Sequence, residues 1–160
     1  MYRQILIAAI IALALAGCGE GLAPTADDGR TAFGGTIRFI PHDGWPPPDS
    51  VMDVRVIAFK KFPPEDIIQA VLSGDAYFVQ NSIQYGVDSA NYEIEIEEPP
   101  ETLEYIAVAL QFGGIYDWRA IGVYSSHDDF APDSLHLEAG EVRMDINITV
   151  DFNNPPPQPF

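Results

Sequence analysis

Residues Glu141 to Phe152 (EVRMDINITVDF) alternate without a break. Val142, Met144, Ile146, Ile148, Val150 and Phe152 fall on one face; Arg143, Asp145, Asn147, Thr149 and Asp151 fall on the other. A period of two is the pattern of a β-strand with one buried face, and a helix would scatter the same residues around its axis. Asn91 to Glu97 repeats the pattern, with Tyr92, Ile94 and Ile96 facing inward and Glu93, Glu95 and Glu97 facing water. Thr36 to Ile40 does so in miniature, Ile37 and Phe39 lying opposite Arg38.

The stretches between these anchors extend the β reading. Asp53 to Phe59 carries apolar residues on both sides, which marks an interior strand or one covered by a helix. Such a helix follows: Pro63-Pro64-Glu65-Asp66 suits a helix start, and Gly74 fits just past its end. Ile67, Ile68, Val71 and Leu72 are read as its apolar face. Further strands are expected at Ala76–Ile83, Tyr105–Phe112, Trp118–Tyr124 and Leu135–Leu137, with Gly122 as a bulge or a close backbone approach. Connections this short require antiparallel pairing except where the helix sits. The expectation is an all-β fold, a sandwich of about seven antiparallel strands with one short helix, over residues 34–152. Pro-rich residues 153–160 are read as an extended, unfolded tail.

The N-terminus is of a different kind. Arg3 precedes an uncharged apolar run from Ile5 to Ala16, and the small residue Gly17 stands before the chain's single cysteine, Cys18. That order is the order of a secretory signal, here residues 1–17, and the run is short for a membrane span. Leu15-Ala16-Gly17-Cys18 resembles the lipobox of bacterial lipoproteins. The resemblance implies acylation of Cys18, which becomes the first residue of the mature chain; two or more acyl chains anchor stably where one does not. Residues 18–33 are then a flexible tether. Gly19 and Glu20 lack the aspartate that favours inner-membrane retention in the enterobacterial pattern, which points to the outer membrane.

Composition narrows function mostly by exclusion. With 8 Lys+Arg against 24 Asp+Glu and a formal charge of −16, the chain has little with which to neutralise nucleic-acid phosphates or to grip anionic lipid electrostatically. One lipidated cysteine leaves no thiol for a disulfide or a zinc–thiolate site.

The strand rhythm resembles the prealbumin-like sandwich of carboxypeptidase regulatory-like and transthyretin-like domains. The matching segments are Gly35-Thr36-Ile37, Val54-Arg55-Val56, Tyr92-Glu93-Ile94-Glu95-Ile96 and Ala139-Gly140-Glu141-Val142. The Pro-Gly-x-Tyr turn usual before the long strand is replaced by Pro99-Pro100-Glu101-Thr102-Leu103-Glu104-Tyr105. Such domains mostly act as non-catalytic modules. Their enzymatic exception, hydroxyisourate hydrolase, ends in a Tyr-Arg-Gly-Ser type tail, whereas this chain ends Pro157-Gln158-Pro159-Phe160.

No Walker loop, Gly-x-Ser-x-Gly elbow, His-Glu-x-x-His or Cys-x-x-Cys occurs. Ser125, His127 and Asp128 are near neighbours in sequence, a spacing that rarely gives triad geometry, and no catalytic residue is assigned. Asp128, Asp129 and Asp133 are weak candidates for calcium, outside the EF-hand spacing. Trp45, Tyr116 and Trp118 are candidates for stacking on a sugar or peptide; core packing is the simpler role for at least one tryptophan, and Trp45, among Gly44 and three prolines, is expected to be the exposed one. The sequence therefore reads as a membrane-tethered, non-catalytic envelope module without a cofactor, whose loops 41–50 and 125–134 meet an unidentified protein or glycan. Carbohydrate capture through Trp45 and Tyr116 is the main alternative, and an envelope hydrolase around His127 and Asp128 a weaker one.

Overall fold

Strand β1 (Ala32–Ile40) organises one sheet, because its odd residues Phe33, Ile37 and Phe39 are all buried. The computed structural model describes residues 29–64 and 67–159; the signal, Cys18 and the tether as far as residue 28 lie outside them. On one side β1 pairs antiparallel with β4 (Ser89–Glu95), from Ala32↔Glu95 to Arg38↔Ser89. On the other it pairs parallel with β9 (Val142–Arg143) and β10 (Ile148–Asp151). This corrects the expectation of antiparallel pairing everywhere but at the helix. Crossover length limits only strands that follow closely, and here the first strand meets the last. Ala32 and Phe33 are fully buried in β1, so the expected tether gives way to folded chain before residue 34.

The twelve-residue alternation is likewise interrupted. Between the pairs Phe33↔Arg143 and Ile37↔Ile148, the C-terminal strand uses one residue more than β1 does. A one-residue slip exchanges the two faces. Met144 is therefore half exposed while Ile146, Ile148 and Val150 are buried. Gly34 and Gly35 make room for the detour: a Cβ at Gly35 would run into the Ile146 carbonyl, which accepts the Tyr92 hydroxyl at 2.7 Å. Burial holds that phenol well above its ordinary pKa.

The second sheet has the order β3–β2–β6–β7, with β2 Asp53–Phe59, β3 Ala76–Phe78, β6 Tyr105–Gln111 and β7 Trp118–Val123. Val54, Val56 and Ala58 from β2, with Ile106, Val108 and Leu110 from β6, face β1 and β10 and make the core. In β7 the pairing steps from Val108↔Gly122 to Ala109↔Ala120, so Ile121 is an extra, bulged residue. Its neighbour Gly122 sits where a Cβ would meet Val150 at 2.8 Å and Ile148 at 3.1 Å. Gly122 is thus both bulge and close approach, and there β7 comes against β10 across the sandwich.

A short ribbon of β5 (Glu101–Leu103) and β8 (Leu135–Leu137) adds Leu103, Leu135 and Leu137 to the core. The described residues hold ten strands rather than about seven, the additions being short pieces such as β5, which a turn-like sequence conceals. The strand expected over Ala76–Ile83 stops at Phe78; beyond it Val79 N–H and Ile83 N–H still reach the Val56 and Val54 carbonyls, and the Arg55 guanidinium takes the Val79 and Gln80 carbonyls at 3.1 and 2.8 Å. The C-terminal tail is not free: Pro156 is buried, and the Gln158 amide bonds both backbone groups of Ala120 on β7, at 2.8 and 3.0 Å.

Candidate functional site

The outer face of the β3–β2–β6–β7 sheet is also apolar, carrying Ile57, Phe59, Ala76, Tyr105, Ala107 and Ala109. Its cover is helix α1 (Ile67–Ser73), which lays Ile67, Ala70 and Val71 on it. Ala70 takes the place expected for Leu72, because i+3 and i+4 from Ile67 are Ala70 and Val71. Leu72 is 77% exposed. A helix of seven residues is too short to cover the whole face. Between α1 and the turn after β6 lies an apolar groove of about 430 Å³. Ile67, Ile68, Val71 and Leu72 line one flank, Ile115 and Trp118 the other, with Ile57, Phe78 and Ala109 beneath.

The far flank is held rigidly. The Asp117 carboxylate accepts the Gly114 N–H at 2.6 Å, and Phe112 N–H bonds the Asp117 carbonyl at 3.0 Å. The Trp118 indole N–H donates to the Ile115 carbonyl at 2.9 Å, so its ring is fixed while Ile115 stays 63% exposed. At the polar end, Arg55 Nε lies 2.6 Å from Asp53 Oδ2, and Asp53 Oδ1 is buried without a hydrogen-bond partner. Elsewhere on the same outer face the Tyr105 hydroxyl is also buried and unpartnered, and burial pushes its pKa up to about 12.

The residues singled out in the sequence do not converge on one site. Trp118 lies on the groove, and Tyr116 beside it is 76% exposed. Trp45, expected to be the exposed tryptophan, packs instead against Phe39 at 4.6 Å and against Phe152 and Tyr85, each at 5.1 Å between ring centres. Its indole N–H donates to the Val87 carbonyl at 3.2 Å. The prolines around it fold the loop over the end of the sandwich, and a large apolar ring is more stable there than in water.

In the 125–134 loop, the Ser125 hydroxyl donates to the Ala131 carbonyl at 2.6 Å and accepts the His127 N–H at 3.0 Å. His127 Nε2 stands 3.4 Å from Asp133, not beside Asp128. Asp133 accepts the Ser126 N–H at 2.6 Å, and Asp129 accepts the Ala131 N–H at 3.1 Å. These carboxylates hold their own loop. Among the described residues no group of three His, Cys, Asp or Glu side chains is placed to hold a metal ion.

Another polar cluster joins the residue after β2 to β3 and β5. Lys60 Nζ lies 2.7 Å from Glu101 Oε2, which also accepts the Tyr77 hydroxyl at 3.2 Å, and the Thr102 N–H reaches Glu101 Oε1 at 3.0 Å. Burial alone would raise the Glu101 carboxyl, but Lys60, Thr102 and Tyr77 together hold it below its ordinary range. The same hydrogen bond to Glu101 raises Lys60.

The groove itself was not legible as a site, since its floor comes from three separate strands. One signal pointed to it: strands apolar on both faces, with a single short helix to cover them. Comparison of the chain with protein-family models, with curated proteins and with solved structures finds no match.

Proposed function

We propose that this protein is a non-catalytic binding module of a bacterial cell envelope, anchored by acyl chains on Cys18 and binding an apolar group in the groove beside α1. The observation that carries the binding role is that groove: about 430 Å³, almost wholly apolar, between two fixed flanks. Its size falls in the range of small-molecule and side-chain pockets. The anchoring role rests on the resemblance of Leu15–Cys18 to a lipobox, and Gly19-Glu20 favours the outer membrane. The prealbumin-like strand rhythm agrees with a display role. A hydrolase is disfavoured because Ser125, Asp129 and Asp133 are engaged with backbone groups of their own loop.

Carbohydrate capture fits less well. Trp45 has its rings' worth of neighbours already, and a sugar site needs several hydrogen-bonding groups beside its stacking ring, where the groove offers Asp53 and Arg55 alone. The binding role is tested with the neutral dye N-phenylnaphthylamine. Its fluorescence should rise on adding the protein and fall several-fold with Leu72→Asp and Ile115→Asp, both exposed positions that tolerate the change. An unchanged signal in either variant would remove the groove from the proposal. Metabolic labelling with an alkyne fatty acid tests the anchor, which Cys18→Ala should abolish.

A further inference from the structure

Away from β7, the two sheets end in β3 and β4, and no strand of the described residues lies between them. Among the described elements β4 pairs with β1 alone, and the register fixes which backbone groups are left over. Ile96 N–H donates to the Thr31 carbonyl and Phe39 N–H to the Asp88 carbonyl, at the two ends of one unbroken ladder. Hydrogen-bonded pairs alternate along an antiparallel ladder. Even-numbered residues from Asp88 to Ile96 therefore turn their backbone towards β1, and Ser89, Asn91, Glu93 and Glu95 turn theirs outward. Across a gap of about 800 Å³ stands β3. Its bonds from Lys60 N–H to Asp75 and from Val79 N–H to Val56 leave Ala76 and Phe78 directed outward by the same rule. Glu93, Glu95, Glu97 and Glu98 border this gap; Glu93 shares its carboxylate with Arg30, and the Lys60 ammonium there is held by Glu101.

We propose that the outer edge of β4 is a strand-addition site for an extended basic polypeptide segment in which Lys or Arg alternates with apolar residues. Main-chain bonds to an open edge supply affinity in this mode, and side-chain pockets supply selection. Residues set opposite Glu93 and Glu95 share their solvent face, where opposite charges attract across strands. Residues set opposite Tyr92 and Ile94 turn inward to the gap, whose walls include Ala76 and Phe78. A second copy of this chain is a poor occupant, since pairing two β4 edges sets glutamates against glutamates. This surface is separate from the groove beside α1 and stands whether or not that groove binds.

The experiment uses the full chain in non-ionic detergent and a fluorescent peptide, Lys-Val-Lys-Val-Lys-Val-Lys, read by anisotropy. Saturable binding is expected, weakened at least tenfold by Glu93→Gln with Glu95→Gln and at least tenfold when every peptide Lys becomes Glu. N-methylating one alternate set of peptide amides should abolish binding, and methylating the other set should leave it within about twofold. Asn91→Pro removes an outward N–H and should also abolish binding; it leaves the backbone ladder to β1 but loses the Thr36 hydroxyl's bond to the Asn91 side chain at 2.9 Å, and should that variant fail to fold, the methylated peptides decide alone. Absence of binding, or binding indifferent to both methylated sets, overturns the proposal, the second result showing electrostatic adsorption only.

Discussion

Along one side of the sandwich β7 and β10 lie against each other; along the other, β3 and β4 stand apart. Both sides confront unpaired strand edges, a known hazard for association. On the closed side the chain covers the edge itself. Gly122 lets the sheets approach, and the Gln158 amide supplies Ala120 with the donor and acceptor a neighbouring strand would offer. On the open side the device is charge: Glu93 and Glu95 stand on the edge strand, with Glu97 and Glu98 just beyond. Cover adds stability and removes the edge for good. Charge adds little stability and leaves the edge available to a partner of opposite sign.

Four variants probe that contrast. Gly122→Val should be the most disruptive, because its side chain meets Val150, Ile148 and the Thr149 carbonyl with no room to move. A loss of about 3 kcal/mol in urea unfolding is expected, the upper range for overpacking; a loss below about 1 kcal/mol would mean the sheets are not locked there. Gln158→Ala leaves two part-buried backbone groups of Ala120 without partners, so about 1–2 kcal/mol should go, with faster hydrogen exchange at the Ala120 amide.

At the border of the open side, Glu101→Gln should cost about 1 kcal/mol at neutral pH, as a partly buried pair weakens. The folded Glu101 pKa lies below its unfolded value, so its contribution is full above the ordinary carboxylate range and lost as pH falls through the folded value. Melting curves of the parent and variant should therefore converge in acid; a constant gap would point to packing instead. Glu93→Gln with Glu95→Gln removes the exposed Arg30–Glu93 pair and should cost about 0.5 kcal/mol or less; a loss above about 1 kcal/mol would mean that the open edge is structural rather than available.

Much of this contrast could be read from local pattern. Tyr92, Ile94 and Ile96 against Glu93, Glu95 and Glu97 announced a strand with an acidic outer face, and they lie as read. Asp53–Phe59 announced a strand covered on both faces, and α1 covers it. Gly122 announced a close approach without naming Val150 as what it approaches. Less could be read where a residue's place depends on partners far along the chain. Met144 has the same parity as Ile146 and lies half in water, because the extra residue opposite Gly34 and Gly35 turns it over. Trp45 has a loop's neighbours in sequence and a core's neighbours in space. Leu72 followed the expected helical stripe by composition and missed it by angle.

The sequence by itself determined the all-β class, most inward residues of the long strands and the acidic character of the chain. Each follows from period, composition or a run of neighbours. Tertiary structure decided the parallel union of β1 with β10, the bulge at Ile121, the clamp of Gln158 on Ala120 and the groove that α1 leaves uncovered. All four depend on which distant segments meet, and a strand's alternation states which face is buried without stating against what.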